Sequence, residues 1–60
     1  MIRVELEQAI TEISDQIDYV KSELENVEED LEKKRLKSEL IRLQYEQMQL
    51  SDRLRRLDMN

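Results

Sequence analysis

Carboxylates are the one plentiful source of chemistry in this chain. Asp and Glu together number 15, Lys and Arg number 10, and His and Cys are both absent from the 60 residues. Paired carboxylates can transfer protons or hold a hard cation when burial or crowding perturbs one of them. Asp15 and Asp18 share a helical face, as do Glu25, Glu28 and Glu29. Their spacing is that of a solvated helix surface, and no pair is set apart by apolar neighbours. A di-iron bundle of the Glu-x-x-His kind needs histidine. A serine nucleophile needs a base to activate it, and no histidine is present to serve. A phosphate-cradling loop needs glycine, and there is none. The residues point to no catalytic, metal or cofactor site. The expectation is a protein that is not an enzyme and takes no cofactor.

The bases offer a second chemistry, phosphate binding. Lys33, Lys34, Arg35 and Lys37 form one cluster, and Arg53, Arg55 and Arg56 form another. Neither contains an aromatic residue, and the formal net charge is −5. Nucleic-acid readers gather their bases on one face of a basic domain. These clusters answer an acidic first half and helix C-terminal dipoles more simply. A nucleic-acid-binding regulator using Lys33–Lys37 and Arg53–Arg56 stands as the alternative function. No strong apolar face borders the bases, so a membrane-surface role is not expected.

These side chains are carried by two apolar ladders. Ile10, Ile13, Ile17, Val20, Leu24, Val27 and Leu31 step by three and four residues. Leu36, Leu40, Leu43, Leu50, Leu54 and Leu57 do the same, with Gln47 as a polar gap. That spacing is a coiled-coil seam, with two apolar positions per heptad. The ladders are mirror images about the Lys33–Lys34 bond. Leu31 then faces Leu36, Val27 faces Leu40, Leu24 faces Leu43, and Ile17 faces Leu50. Ile13 faces Leu54, Ile10 faces Leu57, and Gln47 falls opposite Val20. A mirrored seam means that the first half lies antiparallel on the second. Charge agrees: residues 1–30 carry ten acids and two bases, net −8, while residues 31–60 carry five acids and eight bases, net +3.

An antiparallel seam can close within one chain or between two straight chains. Leu31 and Leu36 are five residues apart, which rotates the seam by about 140° on a continuous helix. A turn resets that phase. The reading is therefore all-α: one domain over residues 1–60, with helix 1 at about 3–31, a turn at about 31–36 and helix 2 at about 36–58. Lys33, Lys34 and Arg35 suit the C-terminus of the first helix. The alternative is a long continuous helix in an antiparallel coiled-coil dimer, supported by the Glu29–Lys33 and Asp30–Lys34 spacings and by the lack of glycine.

Two surfaces exceed what a two-helix seam needs. Ile41, Tyr45 and Met48 form a second apolar stripe, in a window from Leu43 to Ser51 whose one charge is Glu46. Helices apolar on two faces are usually covered on both. Glu23, Asp30, Glu39 and Glu46 form an acidic edge in the expected register, while Glu28 meets Lys37 on the other flank. The stripe and the edge are the candidate partner-binding residues. Gln47 in the seam can fix register or oligomeric state at a cost in stability.

A two-helix unit of this size has no enclosed core, and chains so short lean on disulfides, metals or assembly. With no cysteine or histidine, assembly remains. The outline is similar to small antiparallel helical-hairpin proteins such as plasmid RNA-binding bundles, secretion co-chaperones and phage regulators. No motif ties the chain to any of these, and no residue role follows. The stretch Met1–Glu5 lacks the basic region and apolar run of a signal peptide, and no apolar run is long enough to span a bilayer. The expectation is a cytoplasmic protein–protein interaction module. It acts as an adaptor, regulator or scaffold subunit, dimerises into a four-helix bundle, and docks a protein partner through a basic surface on that partner.

Overall fold

The computed structural model describes residues 3–59, with side chains through Leu57. Met1 and Ile2, read above with the N-terminal stretch, lie outside the described residues. Two helices make up the structure, α1 (Arg3–Asn26) and α2 (Asp30–Met59). They pack side by side in a hairpin 47 × 14 × 13 Å in extent. A continuous helix of this chain would run about 90 Å at 1.5 Å per residue. The long-helix alternative is therefore overturned within one chain. Good helix formers dominate both segments, and neither glycine nor proline interrupts them.

The core is a narrow seam. Ile17, Val20 and Leu43 are buried together, with Ile13, Leu24, Leu36 and Leu40 packed against them. Leu6 is buried towards the open end of the hairpin, 2% exposed. Gln47 Nε2 donates to Ser14 Oγ at 2.7 Å in a half-buried setting. These contacts fit a mirror centred on Asp30, not on the Lys33–Lys34 bond. Ile17 sits with Leu43 instead of Leu50, and Gln47 meets Ser14 instead of lying opposite Val20. Relative to the expected register, α2 has slid along α1 by one heptad.

The turn moves with it. Val27, Glu28 and Glu29 form the connection, four residues or more ahead of the expected 31–36. Helix 1 ends at Asn26 instead of 31, and helix 2 begins at Asp30 instead of 36. Three physical reasons agree. First, a slide of one heptad puts apolar rungs opposite apolar rungs again, so seam periodicity does not choose between the two registers. Second, the slide brings Leu6 into the seam and releases Leu31, which is 77% exposed. Third, the helix-end chemistry favours it. Glu29 accepts from the Lys33 backbone N–H at 3.0 Å, which marks it as the N-cap of α2. Asp30 and Glu32 then lie in the first turn, where the helix dipole favours acids. At the end of α1, the Val27 N–H bonds the Glu23 carbonyl at 3.0 Å. There the Asn26 side chain also donates to the Ser22 carbonyl at 3.1 Å, a second local bond at the helix end. The chain turns with no described residue at positive φ, so glycine is not needed.

Lys33, Lys34 and Arg35 thus belong to the start of α2, and the last turn of α1 holds no base. Their fit to a C-terminal dipole was the weaker signal, because the acids of residues 28–32 precede them and suit an N-terminus. The expected Glu28–Lys37 pair is not formed. Every ion pair between described side chains joins residues three or four apart on one helix. Such exposed pairs contribute only tenths of a kcal/mol each. Among the described side chains, apolar burial along the seam is what joins the two helices.

Candidate interaction surfaces

Ile41, Tyr45 and Met48 come together as expected, on the outer face of α2. They are 68%, 57% and 56% exposed. At about 100° per residue, their mean direction lies about 150° round the helix from the seam. The stripe therefore faces almost directly away from α1. On α1, the large exposed apolar residues among those described are Val4 and Tyr19, which stand far apart. Leu31 and Leu57 are exposed near the two ends of α2.

The acidic edge does not survive as one strip. Asp30 was expected to approach Glu39 across the seam, but both belong to α2, nine residues or about 13 Å apart along the axis. Glu39 and Glu46 are bridged by Arg42, whose guanidinium donates to them at 3.2 and 3.0 Å. Spacings of three and four on one helix carry this bridge, so Arg42 was legible in the sequence as the edge's counter-charge. The bridged carboxylates lie about 140° from the apolar stripe. The structure thus separates two surfaces that the sequence offered together.

Glu23 has its own partner on α1. Tyr19 lies one turn before it on α1, and hydrogen bonding to the Glu23 carboxylate, followed by that carboxylate's charge, raises the Tyr19 phenol above its ordinary range. A raised folded-state value means that the neutral phenol is favoured. That contribution is present in full below the ordinary tyrosine value near 10 and is lost as pH climbs through the raised one. In a Tyr45→Phe background, ultraviolet titration follows Tyr19 alone. Glu23→Gln is expected to lower its midpoint, and an unmoved midpoint would show that Glu23 does not hold the phenol.

The basic clusters do not converge. Arg35 and Arg55 are twenty residues apart on α2, about 30 Å along its axis. Each has a carboxylate of its own helix nearby, Arg35 with Glu32 at 3.8 Å and Arg55 with Asp52 at 4.0 Å. Arg53 and Arg56 instead border a shallow recess with Leu6 and Leu57 at the open end of the hairpin. Among the described residues, no group of three or more Asp or Glu is placed to hold a metal ion, and no helix is long and apolar enough to cross a membrane. Sequence reasoning missed Ser14, the seam partner of Gln47. Its signal was a small polar residue beside the apolar rung Ile13.

Comparison with protein-family models, curated proteins and solved structures finds no match to the chain.

Proposed function

We propose that this chain is a non-enzymatic docking module, a small adaptor or scaffold subunit that self-associates through the outer face of α2. One observation carries the reading. Three large apolar side chains stand exposed in a row, on a hairpin whose buried residues among those described are Leu6, Ile17, Val20 and Leu43. Apolar area removed from water contributes about 25 cal/mol per Å². Covering the stripe therefore adds burial comparable to part of the seam itself. Tyr and Met are also favoured at contact surfaces, where their shape and polarisability suit a partner.

Light-scattering mass across a concentration series tests the proposal. The unaltered chain is expected to move towards dimer mass as concentration rises. Met48→Asp places a charge where apolar contact is needed and should weaken association by on the order of a hundredfold, about 2.7 kcal/mol. Its helical circular dichroism should stay near the parent's, since Met48 lies outside the seam. Equal association by both proteins would remove the stripe from the function.

A further inference from the structure

We propose that charge across both flanks of the seam clasps the hairpin in its register, so that ionic strength sets how firmly α1 and α2 close. The clasp is a property of one chain and needs no second copy.

Ile17 is buried with Leu43, and with the mirror centred on Asp30 the numbers of facing residues add to 60. Nine residues of α1 are charged, and six of them face a charge on α2. The pairs are Glu5 with Arg55, Glu7 with Arg53, Asp18 with Arg42, Lys21 with Glu39, Glu23 with Lys37, and Glu25 with Arg35. Every one joins opposite signs. Each residue lies about 60–120° round its helix from the seam, on the flanks where paired helices exchange charge. Glu5 and Glu23 share one flank with their partners, and the other four pairs share the opposite one. All twelve side chains are exposed.

This order does not repeat with the heptad. In the register one heptad away, Glu28 faces Glu39, Asp18 and Glu23 face glutamines, and Glu5 faces no residue of the chain. Charge thus favours the observed register while the apolar rungs are indifferent. The six pairs are not closed contacts: Arg35 and Arg42 meet Glu32, Glu39 and Glu46 of their own helix. The attraction acts across the flanks at longer range, where salt screens it. One exposed pair is worth little, but six act in the same direction on a seam one layer deep. The acids of α1 also repel one another, and salt relieves that repulsion. A bare salt series therefore mixes two effects, and a charge-swap cycle separates them.

Glu5→Lys with Glu23→Lys makes both pairs of one flank like-charged, and Lys37→Glu with Arg55→Glu does so from α2. The full swap of all four restores opposite signs and leaves the net charge unchanged. Terms internal to one helix, its dipole included, add across the cycle and cancel. Thermal midpoints are read by helical circular dichroism on dilute protein at low ionic strength. The full swap is expected to melt about 5–10 °C above the value that adding the two half swaps gives. In about 1 M sodium chloride, where the screening length is about 3 Å, that excess should fall to near zero. Additive half swaps at low salt would overturn the clasp. An excess that persists at high salt would overturn it too, since packing and not charge would then be its source. If a half swap does not fold, Glu23→Lys and Lys37→Glu alone run the same cycle, with about half the expected excess.

Discussion

Leu43→Ala is expected to remove most of the hairpin's stability. Leu43 is 1% exposed and joins Ile17 and Val20, so it links both helices at mid-seam. Truncating a buried leucine costs about 2–5 kcal/mol, the lost transfer energy plus the cavity left behind. A chain of this length has a total of about 3–9 kcal/mol, taking 0.05–0.15 kcal/mol per residue. Few other residues can compensate, because the seam is one layer deep. In a domain this small each kcal/mol lowers the thermal midpoint by about 4–8 °C. The thermal midpoint of the helical circular dichroism signal should therefore fall by about 8–40 °C. The control is Ile41→Ala at high dilution, where the stripe is uncovered and little stability should be lost. Equal midpoints for Leu43→Ala and its parent would remove Leu43 from the core.

Leu6→Ala and Leu31→Ala, measured side by side, are expected to differ by about 2–3 kcal/mol. Leu6 is almost fully buried and Leu31 almost fully exposed. Truncation should destabilise strongly at Leu6 and hardly at all at Leu31. In the register centred on the Lys33–Lys34 bond the order is reversed, since Leu31 would open the seam and Leu6 would have no partner within these residues. The pair therefore reads the register directly by chemical denaturation. A larger loss at Leu31 would place the turn at 31–36 after all. The two substitutions lie far apart in the hairpin, so their effects should add in the double variant.

Much of this structure was legible in the residues. The three-four spacing from Ile10 to Leu57 specified helices and their buried faces. The mirrored order of the ladders, with net charges of opposite sign on the two halves, specified an antiparallel pair. The five-residue step from Leu31 to Leu36 broke the seam and pointed to a turn at 31–36, but both residues lie on α2 and the step marks where Leu31 leaves the seam. Ile41, Tyr45 and Met48 declared themselves as surplus apolar residues, and they stand exposed where helical spacing puts them.

What the sequence by itself determined is therefore the hairpin, its direction and its surplus stripe; what only the tertiary structure decided is the register, and with it the turn and the fate of the acidic edge. A heptad seam repeats every seven residues. Two alignments one heptad apart then bring the same kinds of side chain together, and periodicity cannot rank them. The ranking came from terms that do not repeat: burial of Leu6 against exposure of Leu31, the Gln47–Ser14 hydrogen bond, and the Glu29 and Asn26 helix ends. Each amounts to no more than a few kcal/mol. They decide the outcome because the much larger seam energy is nearly equal in both alignments and cancels.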